Sequence, residues 1–138
     1  MPIVNVVVST RPSVTLSQAI NSLILDHTAT ILHKDPRLTA VVIHYVNPVD
    51  WWVAGKNLAE HQRHSVFLEI KITDETNTKS EKAAYIAAVF KSFTELLGPL
   101  HEKSYVHVQD VRAAAYGYGG QTQEARFQHQ GLNRIPNA

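Results

Sequence analysis

The chain has 138 residues, 44% of them hydrophobic and 18% charged, which is the length of one domain with enough apolar mass for a core. Thirteen basic against twelve acidic residues leave a formal charge of +1, too little to mark a surface for nucleic acid or membrane. With no cysteine and no apolar run near the roughly 18 residues of a membrane span, disulfides, thiol nucleophiles and thiolate metal sites are excluded, and a cytoplasmic protein is expected.

The first element is a strand over Ile3 to Ser9 (IVNVVVS), β-branched and almost continuously apolar, as suits a strand covered on both faces. Thr15 with Gln18 reads as a capping box that opens a helix. That helix places Leu16, Ala19, Ile20, Leu23, His27 and Ile31 on one face. A second strand, Ala40 to Val46 (AVVIHYV), leads into a turn over Asp50 to Gly55, and the stretch 56–64 reads as a linker. Val66 to Thr73 (VFLEIKIT) is the third strand, and Thr78 with Glu81 makes a second capping box. The helix behind it is expected to present Ala83, Ile86, Ala87, Phe90 and Leu97 on one face before Gly98-Pro99 stops it. Tyr105 to Val111 (YVHVQDV) is the fourth strand, followed by a glycine turn over Tyr116 to Gly120 and a polar tail over 121–138.

The order β-α-β-turn is therefore written twice, and 63 positions separate Thr15 from Thr78. The expectation is one α/β (α+β) domain over 1–138, with pseudo-repeats 2–55 and 65–120, in which a four-stranded sheet carries two helices on one face. Ferredoxin-like folds share this order, so secondary structure alone selects no function. The RNA-binding version lacks its aromatic strand motif here.

The chain opens Met1-Pro2. Removal of the initiator methionine would expose a secondary amine at the head of a buried strand. An apolar site disfavours the charged form of such an amine and lowers its pKa, leaving it neutral enough near pH 7 to act as a general base or a nucleophile.

The doubled β-α-β unit, the Met-Pro start running into a strand (PIVNVVVS), and the glycine turn after the last strand (YVHVQDVRAAAYGYGG) together resemble the tautomerase superfamily over roughly residues 2 to 120. That superfamily includes 4-oxalocrotonate tautomerase, macrophage migration inhibitory factor, malonate semialdehyde decarboxylase and cis-3-chloroacrylic acid dehalogenase. The resemblance implies a homotrimer with an active site around each N-terminal proline, no cofactor, and a small carboxylate substrate, with no nucleic-acid or membrane partner. Pro2 then corresponds to the catalytic proline. Lys34 falls where one branch carries an active-site lysine for a carboxylate or enolate; the alternative is a helix C-terminal lysine favoured by the macrodipole. Tyr105 matches a tyrosine that a neighbouring subunit donates, and His107, on the same strand face, aligns with a polar site residue. Arg11 stands at the end of the first strand, where short members bind a carboxylate, and is equally readable as an exposed turn residue. His27 lies near an active-site histidine of the dehalogenase branch, or is a core histidine with a hydrogen-bond partner. Tyr116 would wall the pocket.

The sequence also departs from the pattern. Dehalogenases and decarboxylases carry an arginine pair after the third strand, where this chain has Thr73-Asp74-Glu75-Thr76-Asn77, and Tyr116 and Tyr118 replace a water-activating glutamate. A keto–enol tautomerase of small 2-oxo acids is therefore expected, ahead of a hydratase or weak dehalogenase of unsaturated three-carbon acids, or a non-catalytic trimeric binding protein. His61-x-x-His64 has no obvious third ligand, so no metal site is expected. Glu124 and Arg126 in the tail could reach a neighbouring pocket, a choice that the sequence leaves open.

Overall fold

The structure, a computed structural model, describes residues 2–134. Met1, whose removal the chemistry above depends on, lies outside the described residues, as does the end of the tail. Four strands form one sheet: β1 (Ile3–Val8), β2 (Ala40–Tyr45), β5 (Val66–Thr73) and β6 (Tyr105–Val111), in the order β2-β1-β5-β6. Within each half the strands are parallel, and the halves meet through the antiparallel pair β1–β5, with Ile3 opposite Lys71 and Val8 opposite Val66. Helices α1 (Val14–Thr30) and α3 (Lys79–Leu97) supply the crossovers, and both pack on the face that buries Val4, Val6, Val8, Leu68, Ile70 and Ile72.

Strand alternation determines which side chains are covered. The opposite face, with Ile3, Asn5 and Val7 of β1 and their partners Lys71, Glu69 and Phe67, has no helix on it. Ile3 and Val42 are each 43% exposed there, so the near-continuous apolar run of β1 is covered on one side only within a single chain.

Two details of the helices differ from the sequence expectation. Helix α1 is capped by Ser13, whose Oγ accepts from the Leu16 N–H at 3.2 Å, not by a box at Thr15; serine caps at least as well as threonine, and Thr15 lies within the first turn. The box at Thr78 and Glu81 is present in both directions. On α3 the buried positions are Tyr85, Val89 and Phe93, whereas Ile86 and Phe90 are 40% and 36% exposed. Tyr85 can be buried because its hydroxyl meets Thr28 of α1 at 3.1 Å, which removes the cost of an unpaired polar group and leaves the ring to contribute about 1.5–3 kcal/mol of burial.

Both turns are short hairpins, β3–β4 (Trp52–Val53 with Lys56–Asn57) and β7–β8 (Gly117–Tyr118 with Gln121–Thr122), and each is followed by a helix. The expected linker thus contains α2 (Leu58–His61), and most of the expected polar tail is α4 (Gln123–Arg134). The start of α4 is fastened to the preceding turn: the N–H groups of Gln123 and Glu124 donate to the carbonyls of Tyr116 and Ala113, and that of Ala125 to Thr122 Oγ1. Gly117 has no room for a Cβ, which would lie 1.8 Å from the Gln121 carbonyl oxygen.

Candidate functional site

Pro2 sits at the head of β1, buried, with its carbonyl accepting from the Ala40 N–H at 3.2 Å. Because β1 and β5 run antiparallel, this head lies beside the segment that leaves β5 at Thr73. Residues 33–35 after α1, residues 73–76 after β5 and the start of α4 complete a cavity of about 560 Å³ around Pro2. The first two walls are tied together. Lys34 Nζ donates to Thr76 Oγ1 at 2.7 Å, Thr76 Oγ1 donates in turn to the Thr73 carbonyl at 2.6 Å, and Asn77 Nδ2 donates to the Leu32 carbonyl at 2.9 Å. Residues 33 and 75 both take left-handed backbone, with φ of 59° at His33 and 64° at Glu75. Such turns let each segment fold back toward the cavity.

The cations of this cavity differ in their surroundings. Burial lowers the Lys34 ammonium from its ordinary value, while Glu81 and Asp110 pull the other way. His33, largely exposed at the cavity edge, has Nε2 3.0 Å from Glu81 Oε2. Arg126 reaches in from α4: its guanidinium carbon lies 3.8 Å from the centre of the Tyr118 ring and Nη2 donates to the Tyr118 carbonyl at 2.9 Å. Tyr116 braces the wall, its hydroxyl 2.7 Å from Thr73 Oγ1; burial pushes the phenol up and the Thr73 bond opposes that shift.

Of the residues singled out from the sequence, Pro2 and Lys34 meet in this cavity, as do Glu124 and Arg126 of the expected tail, and Tyr116 supports it through Thr73. The others lie elsewhere in the same chain. Tyr105 is at the opposite end of the sheet, paired with Phe67 and 61% exposed, and His107 pairs with Glu69 on the helix-free face. Arg11 lines a separate hollow of about 460 Å³ with Ser9, Tyr45, Asn47 and His64. His27 lies between α1 and α3, its Nε2 2.6 Å from Ser92 Oγ, and does not line the Pro2 cavity. His61 and His64 each turn a ring nitrogen to a backbone carbonyl, of Val53 and Ser9, and no cluster of three or more metal-ligating side chains occurs among the described residues. No helix among them is long and apolar enough to cross a membrane. Sequence reasoning missed Thr73, Thr76 and Tyr118, since bonds between loops 42 residues apart leave no local pattern.

No family model matches the sequence, and no curated protein matches it. Solved structures do match in fold. One, a wild-type fused 4-OT symmetric trimer, is 17% identical with a TM-score of 0.77, over 90% of this chain and 98% of that one. A second, of a protein inactivated by 2-oxo-3-pentynoate, is 18% identical at a TM-score of 0.77, over 90% and 98%. A third, a macrophage migration inhibitory factor-like protein from Entamoeba histolytica, is 15% identical at 0.72, over 88% and 97%. The chain has the fold of these structures.

Proposed function

We propose that the chain is a cofactor-independent keto–enol tautomerase of small 2-oxo acids, with the amine of Pro2, freed by loss of Met1, as general base. The observation that carries this reading is the burial of Pro2 in the wall of a cavity of about 560 Å³ that it shares with Lys34. Burial favours the neutral amine. The nitrogen takes a proton from the carbon next to the substrate carbonyl, giving an enolate and a prolinium; the prolinium then returns the proton at another atom of the conjugated system, so that nothing is gained or lost. Lys34, partly desolvated and held by Thr76, stabilises the negative charge as it develops on oxygen.

Within this reading the active unit is a homotrimer, and Tyr105, His107 and Arg11 act on a neighbouring copy's site. Two observations support it: the helix-free sheet face leaves Ile3, Val42 and Tyr105 exposed, and a structure of the same fold is a trimer. His27, bonded to Ser92, has a packing role in a single chain and reaches substrate only if that bond opens.

A second reading, hydration of an unsaturated three-carbon acid, draws on Glu124, whose carboxylate lies at the same cavity and could position a water. Product analysis with an acetylenic acid separates the two. The direct test of the first is conversion of enol phenylpyruvate to its keto form by protein with a free Pro2 amine and by protein that retains Met1. Acylating the nitrogen removes its basicity, so retention is expected to cost about 10²- to 10⁴-fold in turnover; equal turnover by both forms would refute the assignment.

A further inference from the structure

The carboxylate of a 2-oxo acid needs a cation, and the segment Thr73-Asp74-Glu75-Thr76 beside Pro2 is acidic. Among the described residues lining the Pro2 cavity the only lysine or arginine side chains are Lys34 and Arg126. Three exposed carboxylates, of Asp74, Glu75 and Glu124, stand at the same cavity. An anion therefore enters against a negative rim and requires a cation fixed inside it.

Arg126 is built for that position. Its guanidinium is stacked on Tyr118 and tied by Nη2 to the Tyr118 carbonyl, so its rotamer is set before any ligand arrives. Gly119, at φ +60°, makes the docking possible: a Cβ there would fall 2.7 Å from Arg126 Nη2. Yet the charge is not paired: among the described residues no carboxylate lies within 4.0 Å of it, whereas Asp35, Glu69 and Asp110 each hold an arginine or lysine of their own. Arg126 Nε is buried without a hydrogen-bond partner among the described residues, a cost that a folded chain accepts rarely. A pre-set, unneutralised guanidinium in a cavity wall is a carboxylate anchor. Beside it, Leu38 and Phe127 expose apolar surface at the same cavity, 39% and 75%.

We propose that Arg126 binds the substrate carboxylate, that Lys34 is thereby left for the enolate oxygen, and that the substrates are 2-oxo monocarboxylates with an apolar remainder seated against Leu38 and Phe127. The acidic rim repels a second carboxylate. The inference rests on reading the Pro2 cavity as the substrate site, so its test is a binding measurement that needs no turnover. Calorimetric titration with 3-phenylpropanoate, which has no 2-oxo group and does not enolise, is compared for the unaltered protein, Arg126→Gln and Arg126→Lys. Gln is expected to weaken binding roughly ten- to a hundredfold, the factor for losing a charge-assisted hydrogen bond, and Lys to restore part of it. The amide of the same acid is expected to bind weakly and equally to all three, and hexanedioate less tightly than 3-phenylpropanoate. Gly119→Ala, which displaces the guanidinium, is expected to act as Gln does. Unchanged affinity in Arg126→Gln, an equal loss for acid and amide, tighter binding of the dicarboxylate, or no binding to the unaltered protein would each overturn the proposal. Failure of the tautomerase reading shows separately, as absent turnover with intact carboxylate binding.

Discussion

Pro2 and Ser65 occupy the same place in the two halves, one residue ahead of β1 and of β5, and the protein treats them in opposite ways. At Pro2 the strand head opens into a cavity of about 560 Å³. At Ser65 it is closed: the N–H donates to Ser9 Oγ at 2.9 Å, the hydroxyl meets Ser104 Oγ at 3.0 Å, and the residue is fully buried. The antiparallel β1–β5 pair places each head beside the loop that leaves the other half's first strand, so the geometry is shared. Under the proposed loss of Met1, what differs is covalent. Ser65 follows His64 through a peptide bond, so its nitrogen is an amide with no basic lone pair, and the scaffold uses it as a hydrogen-bond donor instead. A duplicated unit thus has two equivalent strand heads, of which the proposed loss of Met1 would give one a basic amine. The same symmetry puts Arg11 at the Ser65 end of its own chain, so among the described residues of one chain the arginine that lines the Pro2 cavity is Arg126.

Substitutions at the two strand heads should act in opposite ways. The largest effect is expected from blocking the Pro2 nitrogen, as above, with stability unchanged. Ser65→Ala should do the reverse, costing about 1 kcal/mol in urea unfolding through the lost hydroxyl contact and leaving turnover intact. A loss of turnover there would mean that the closed end takes part in the chemistry.

Tyr85→Phe tests the joint between the halves, since its hydroxyl reaches across to Thr28. The loss near pH 7 should be about 1 kcal/mol. The pH dependence is more telling. Burial pushes the Tyr85 phenol up to about 12, whereas an unfolded tyrosine titrates near 10. Below pH 10 both states are protonated and nothing changes. Between about 10 and 12 only the unfolded chain releases the proton, so stability falls as pH rises, by about 1.4 kcal/mol per pH unit at most. Chemical denaturation in that window should show this slope in the unaltered protein and its absence in Tyr85→Phe. The smallest effects belong to the caps: Thr78→Ala, which breaks a reciprocal box, should cost about 1 kcal/mol, and Ser13→Ala, with one bond to lose, no more than that.

The four strands were legible because β-branched runs bounded by turn residues leave few alternatives, and β5 and β6 match their expected ranges residue for residue. The faces of the helices were less so. The apolar pattern of α3 favours Ala83, Ile86 and Phe90, but the buried line is Tyr85, Val89 and Phe93, because the partner that makes a buried tyrosine acceptable lies 57 residues away. Helix α4 was hidden for a similar reason. Its sequence is polar, and its described attachments are hydrogen bonds to carbonyls and a hydroxyl of residues 113–122, which no periodicity announces. At the site, Pro2 and Lys34 could be named from the sequence by resemblance. The orientation of Arg126 depends on Tyr118 and Gly119 together, a three-body arrangement that only the folded turn discloses.

The central claim is that Pro2 carries a neutral, nucleophilic amine inside the cavity. Treating the protein with 2-oxo-3-pentynoate, the reagent that inactivated a protein of the same fold, and mapping the modified peptide by mass spectrometry tests it most directly. Conjugate addition joins the amine nitrogen to the alkyne and moves its proton to carbon, so the adduct keeps every atom of the reagent. The account predicts a single adduct at Pro2, formed near neutral pH and slowed by 3-phenylpropanoate. An unmodified N-terminal peptide with adducts scattered over surface lysines would contradict it.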